Sequence, residues 1–200
     1  MIEYHIWPIL RKSPRTIKTG EWTEFYEKPS ALPIVKTGSI KLDLQRRDFT
    51  INTMAVRLDG SHFGELHDYW GGLNDLNRKL IRVLHSLSFV DDPTRMLRAV
   101  RFEQRFAFTI EPRTLELLQE AKNLLSEVSG ERLRHELDLI LKEKQAANMF
   151  ARLAQLGLLQ EIHPALVWHA ALSAQFDELL TKPFPQGWGF ARHPSAADQK

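Results

Sequence analysis

Cysteine is absent from all 200 residues, so the chain has no disulfide framework, no thiolate metal site and no cysteine nucleophile. No apolar run approaches the roughly 18 residues that cross a bilayer, so no membrane partner is expected. A strong charge of one sign is missing too. The 27 Lys+Arg and 25 Asp+Glu leave a formal net charge of +2, so any contact with nucleic acid must come from local clustering rather than a global field. The opening stretch MIEYHIWPILRKSPRTIKTGEW lacks the basic-then-apolar layout of a signal peptide, and a cytoplasmic location is the expectation that follows. Its mix of proline, lysine and isolated aromatics shows no clean period. The eight histidines are scattered without ligand spacing, and no metal is assigned to them. No internal repeat or low-complexity tract is present. What remains is a globular composition, 43% hydrophobic, able to bury a core as one domain or two small ones.

Along the chain the periodicity changes once. Residues 22–45 hold two prolines and a Thr-Gly-Ser turn signal between short apolar pieces, which predicts extended chain. FTINTMAVRL, 49–58, alternates like a strand and ends at Asp59-Gly60, a tight-turn pair; HFGELHDY offers a returning strand. DYWGGLNDLNRKLIRV reads as a loop whose Gly71 and Gly72 form a flexible joint before a short helical turn. From Asp92 the period is helical. Asp92 before Pro93 predicts a cap and first turn; further helices are expected from Glu111-Pro112, from Ser129, and over QAANMFARLAQL, which stops at Gly157. The expected architecture is α+β: short strands through about residue 83, then helices only, with no strand paired between 92 and 160. PFPQGWGFARHPSAADQK at the end reads as loop.

Two constellations could carry chemistry. On a helix, Arg95, Arg98, Arg101 and Arg105 fall within about a 120° sector, interrupted only by Glu103. This face is either a solvated amphipathic surface or one built for phosphate, and mutual repulsion among the arginines calls for an anion. Arg95 sits three residues after Asp92 on nearly the same face. The two either cap and pair locally, or form an acceptor–donor edge able to read a nucleobase. LQRRDFTIN presents the same choice: Arg46, Arg47 and Asp48 at a strand mouth are either a weak surface salt bridge or two phosphate-binding cations beside a ribose-binding carboxylate.

In order, RRDFTINTMA, DYWGGLNDLNRKLIRV, DDPTRMLRAVRF and SGERLRHEL resemble the successive motifs of the tRNA nucleotidyltransferase and poly(A) polymerase family, in the bacterial-type class that includes CCA-adding enzymes. Four ordered motifs at family spacing over about residues 22–165 are far more specific than any one alone. The resemblance implies a partial polymerase β-like nucleotidyltransferase head over 1–83, a helical neck over 84–147 that binds nucleotide and RNA, and the start of a helical body over 148–200. It implies that Arg46, Arg47, Asp48 and Asn52 serve the ribose and phosphates of an incoming nucleotide, and that residues 68–75 couple head to neck. Asp92 and Arg95 then match a protein template for the base of ATP or CTP, with Arg98 and Arg101 beside it. Arg105 faces RNA, and Glu131, Arg132 and Glu136 brace the neck helices. The implied partners are ATP or CTP and the 3′ end of tRNA or another RNA.

The implied cofactor is Mg2+. The family holds it on an Asp-x-Asp that follows a Gly-Gly or Gly-Ser turn, well before Arg-Arg-Asp, yet no Asp-x-Asp occurs in this sequence. Gly38-Ser39 is the sole upstream turn of that kind, and Asp43 and Asp48 are not a one-apart pair. The expectation is therefore a family member without most of its head, binding nucleotide but inactive alone. The other reading of the same residues is a non-catalytic RNA- or partner-binding helical module. Oligomeric state leaves no trace in the sequence.

Overall fold

The computed structural model describes residues 39–169, 171–173 and 175, together with the backbone of four strands nearer the N-terminus. Those strands are β1 (Glu3–Ile6), β2 (Arg15–Lys18), β3 (Thr23–Phe25) and β4 (Ile34–Lys36). Helix α1 (Ile40–Gln45) follows, capped by the Ser39 hydroxyl, which accepts from the Leu42 amide. A 3-10 turn, Thr50–Asn52, leads into β5 (Met54–Arg57) and, after a turn at Gly60, β6 (Leu66–Asp68). Strand β1 pairs antiparallel with both β2 and β5, giving a four-stranded sheet in the order β2-β1-β5-β6. The aperiodic N-terminal stretch thus contributes two strands that its pattern does not announce. The predicted strand over 49–58 is shorter than expected, because its first residues wind into the 3-10 turn that buries Phe49 and Ile51.

Helix α2 (Gly72–Asn77) and strand β7 (Leu80–Ile81) connect to a run of helices: α3 (Ser88–Asp91), α4 (Arg95–Phe106), α5 (Pro112–Ala121), α6 (Gly130–Leu141), α7 (Ala146–Gln155) and α8 (Leu158–Ile162). Their ends follow the sequence signals. Glu111 accepts from the Thr114 amide ahead of Pro112, Ser129 precedes α6, and Gly157 turns the chain left-handed after α7. The expectation of helices alone beyond residue 92 fails at one place. Helix α4 ends with Ala107 in the left-handed region and the Phe108 amide bonded back to the Glu103 carbonyl. The exiting residues form β8 (Thr109–Ile110), which pairs in parallel with β7. Two residues are too few to carry a period-2 signature. Among the described residues no helix is long and apolar enough to cross a membrane.

The main core does not divide at residue 83. Phe49 and Ile51 join Ile81, Val83 and Phe89, then Met96, Val100 and Phe102 of α4, and continue to Met149, Leu153 and Leu158. The Phe49 and Phe102 rings meet edge to face at 5.6 Å. A small second cluster of Leu44 and Ala55, flanked by Ile40 and Trp70, supports the sheet. The strand segment is thereby wedged into the helices, and this sets the position of Arg46–Asn52 against α4.

The paired glycines are not a loose joint. Gly71 adopts φ +73°, and the Gly72 amide donates to Asp68 Oδ1 at 2.7 Å. A Cβ on Gly72 would sit 2.3 Å from the Thr50 carbonyl oxygen and 3.0 Å from Met54 Cγ, so glycine is required for α2 to approach the 3-10 turn. Nearby, buried Asp75 accepts from Thr50 Oγ1 at 2.7 Å and Arg82 Nε at 2.9 Å. Gly72→Ala is expected to lower the unfolding free energy by about 2 kcal/mol through this overpacking. Gly71→Asn, at a left-handed position with open space, should stay within about 0.5 kcal/mol of the parent. Urea denaturation of the two variants compares them directly.

Candidate nucleotide-binding seam

The candidate site lies where residues 43–52 meet α4 and α6. Asp43, buried, accepts from Arg46 Nε at 2.8 Å and Arg47 Nη2 at 3.0 Å. One carboxylate therefore holds the guanidinium groups of both arginines, and it is not among the site residues expected from the sequence. Asp48 is buried as well. Its Oδ1 accepts from the Phe49 amide at 2.9 Å and Asn52 Nδ2 at 2.8 Å; its Oδ2 accepts from Arg98 Nε at 2.9 Å and from Arg98 Nη2. Burial by itself would raise the Asp48 carboxyl, but the Arg98 charge and the Asn52 and Arg98 hydrogen bonds hold it below the usual aspartate range. The Asn52 amide orientation is set by this contact, since a carboxylate oxygen only accepts. Its own Oδ1, buried, has no hydrogen-bond partner; nor does the buried Arg47 Nε.

The arginine face of α4 is neither solvated nor waiting for an external anion along its length. Arg98 Nη1 lies 3.5 Å from Glu136 Oε1, Arg101 lies 3.6 Å from both Glu136 and Glu143, and Arg105 Nη1 lies 3.2 Å from Glu143 Oε1. With Asp48 at one end, the positive and negative groups alternate as Asp48–Arg98–Glu136–Arg101–Glu143–Arg105. The repulsion foreseen from sequence is relieved by the chain's own carboxylates. The Arg98 and Arg101 guanidinium groups also sit 5.5 and 4.9 Å from the Phe102 ring centre. Burial lowers the Arg101 pKa and Glu136 opposes that shift; burial also lowers the Arg98 pKa, but the Asp48 and Glu136 charges and the Asp48 hydrogen bond together raise it above the ordinary arginine value. Arg105, at the outer end, stays about one-third exposed. Glu103 points away from this row and takes a two-point contact from Arg152 of α7, at 2.8 and 3.2 Å.

Asp92 and Arg95 are not each other's partners. Asp92 Oδ1 accepts from the Thr94 amide at 3.0 Å, Thr94 Oγ1 at 2.6 Å and Arg132 Nη2 of α6 at 2.7 Å. Arg95 donates through Nη1 to Ser88 Oγ at 2.8 Å and through Nη2 to the Arg46 carbonyl at 3.0 Å. The local-pair reading thus fails for Arg95, although Asp92 does cap the turn ahead of α4. The structure brings Arg46, Arg47, Asp48, Asn52, Asp92, Arg95 and Arg98 around one seam and leaves Arg101 and Arg105 progressively farther along α4. Sequence reasoning did not single out Ser88, or Glu143, although Glu136 and Glu143 share the seven-residue spacing of Arg98 and Arg105.

Asp48→Asn is expected to cost about 3 kcal/mol at neutral pH, the lower end for a broken buried pair because Arg98 keeps Glu136. A depressed folded-state pKa places this stabilisation above the ordinary aspartate value of 3.8 and removes it as the pH falls through the lower folded value. The gap between wild type and Asp48→Asn should accordingly narrow on acidification, as read by denaturation at neutral pH and at about pH 3.

Two family models match the chain: the "Poly A polymerase head domain" over residues 12–82 and the "Probable RNA and SrmB- binding site of polymerase A" over residues 107–168. The A-adding tRNA nucleotidyltransferase of Geobacter sulfurreducens is 53% identical over 146 residues, which is 72% of this chain and 17% of that protein. A solved CCA-adding enzyme in an apo form superposes with a TM-score of 0.76 at 46% identity, covering 82% of this chain and 39% of that one. A CCA-adding enzyme solved in complex with ATP gives a TM-score of 0.68 at 45% identity, covering 74% and 38%. The chain spans about a sixth of the curated relative's length and under half of each solved chain. The head-domain model takes in Arg46 to Asn52, the second model takes in α5 to α8, and these relatives match over 72% or more of the chain; on this ground the chain belongs to the tRNA nucleotidyltransferase and poly(A) polymerase family.

Proposed function

We propose that the seam is a ribonucleotide site of the RNA nucleotidyltransferase type, selective for ATP and CTP, and that this 200-residue chain binds nucleotide without transferring it. The observation that carries the reading is that Arg95 donates to the Arg46 carbonyl while Arg98 grips Asp48. Base-facing and phosphate-facing residues are thereby held in one frame. In this reading Arg46 and Arg47 meet the phosphates as guanidinium donors. Asp48 and Asn52 meet the ribose, with the unpartnered Asn52 Oδ1 as the ready acceptor for a hydroxyl. Asp92 accepts from an exocyclic amino group and Arg95 donates to a ring nitrogen or carbonyl. Adenine and cytosine satisfy both, whereas guanine and uracil put an acceptor where the carboxylate needs a donor. Arg98 and Arg101 support this edge, and Arg105 is the cation left most open for RNA.

Mg2+ would supply charge neutralisation on the triphosphate and activation of the attacking 3′-hydroxyl. The side chains on hand do not fit it. Among the described residues no group of three or more His, Asp or Glu is placed to hold a metal ion. Asp43 is committed to Arg46 and Arg47, and Asp48 to Asn52 and Arg98. No transfer step is assigned to these residues. The relatives' activity on tRNA supports the substrate class, an RNA 3′ end with ATP or CTP, for the family context of the site.

Binding of the four ribonucleoside triphosphates to the 200-residue chain tests the site. ATP and CTP should bind more tightly than GTP and UTP by about 1 to 3 kcal/mol, the cost of unpaired polar groups in the mismatched pairs. Asp92→Ala or Arg95→Ala should flatten the preference while the helical circular dichroism persists. Equal binding of all four by wild type would remove the template role and favour a helical module that contacts RNA alone. Incubation with labelled ATP or CTP, tRNA and Mg2+ should give no incorporation; incorporation abolished by EDTA would show that other carboxylates hold the metal.

A further inference from the structure

An aspartate that reads a base must offer a defined oxygen in a defined direction, because a carboxylate is two-fold about its terminal torsion. Asp92 has lost that freedom. All of its hydrogen bonds fall on Oδ1: the Thr94 amide at 3.0 Å, the Thr94 hydroxyl at 2.6 Å and Arg132 Nη2 at 2.7 Å. Oδ2 accepts from none of the described residues, and the side chain is one-fifth exposed. The acceptor left without a partner among the described residues is thus a single oxygen. Both Thr94 donors lie two residues along the same turn and move with Asp92. Arg132 comes from the first turns of α6, forty residues on, and ties the carboxylate to another element. Arg95 is held in a matching way by Ser88 and the Arg46 carbonyl, so each half of the edge is anchored from outside its own turn.

We infer that Arg132 is a specificity-determining positioning residue, which turns Asp92 so that Oδ2 faces the amino group of an adenine or cytosine base. The inference rests on the template reading of Asp92 and Arg95. Arg132 need not touch the nucleotide. With the guanidinium removed, only the Thr94 donors hold Oδ1, and the carboxylate can swing or present either oxygen. Recognition of the amino group weakens, while phosphate and ribose contacts on Arg46, Arg47, Asp48 and Asn52 are unaffected.

The test is binding of ATP, CTP, GTP and UTP to the full 200-residue chain as wild type, Arg132→Ala, Arg132→Lys, Asp92→Ala and the Asp92→Ala/Arg132→Ala double variant, with circular dichroism on each. Arg132→Ala should lose affinity for ATP and CTP until it approaches that for GTP and UTP, which should hold. Arg132→Lys, retaining a cationic donor, should recover part of the preference, and Arg132→Ala should change nothing further in the Asp92→Ala background. A parallel fall in affinity for all four nucleotides would make Arg132 a general brace of the neck and overturn the proposal, as would a preference that survives Arg132→Ala. Should Arg132→Ala fail to fold, Arg132→Lys decides: a preference reduced with GTP and UTP affinity unchanged supports the proposal, and an undiminished one overturns it. Equal binding of the four nucleotides by wild type would instead defeat the template reading, and the role of Arg132 with it.

Discussion

The contact between Asp48 and Arg98 is the constraint on which the rest of the site depends. It joins a residue just ahead of the 3-10 turn to the first turn of α4, fifty positions apart, and sets the Asp48 carboxylate where burial makes an unpaired charge costly, against an Arg98 side chain about one-third exposed. Phe49 next to Asp48 enters the helical core against Phe102, so the polar link and the apolar wedge fix the same geometry. Arg95, one turn earlier on α4, then falls within reach of the Arg46 carbonyl. A buried ion pair of this kind is weak evidence for stability as such, since an apolar pair could pack equally well. Its use here is registration: it sets which residues of the strand segment face which residues of the helix.

Charge alternation extends that registration along α4. Each internal arginine of the row has a carboxylate on either side, contributed by Asp48, Glu136 or Glu143, and the two most buried stack over Phe102. This lets a helix with four arginines on one face remain in the interior. Buried polar atoms without a hydrogen-bond partner remain at Arg47 Nε and Asn52 Oδ1 and, within the row itself, at Arg101 Nε and Glu136 Oε2, while Asp92 Oδ2 accepts from none of the described residues.

Much of this was legible in the sequence, and the failures have specific causes. The helix ends followed from local chemistry at Glu111-Pro112 and Gly157, because caps act within three residues; α6 starts after Ser129 with no side-chain cap bond, and its apolar stripe announces it instead. The arginine sector of α4 followed from the 100° period. Its environment did not, because the carboxylates that neutralise it lie 35 or more residues away and an isolated sequence window does not contain them. The same limit hid Arg132 as the partner of Asp92; Ser88 lies only seven residues before Arg95 but in the separate helix α3, so no helical period relates the two. Gly71-Gly72 was read as a loose joint from composition; the need for glycine at 72 arises from the Thr50 carbonyl, a contact made only in the folded chain. Strand β8 was missed because two residues have no period, and the C-terminal loop reading over PFPQGWGFARHPSAADQK lies outside the described residues.

The central claim is that one seam, built from both residues 43–52 and helices α4 and α6, takes up a nucleotide. Amide hydrogen exchange of the 200-residue chain with and without saturating ATP measures this most directly. Protection should rise together in residues 46–52 and 92–98, since the two segments are held by shared contacts. Protection confined to one of them, or exchange unchanged in both, would contradict the account.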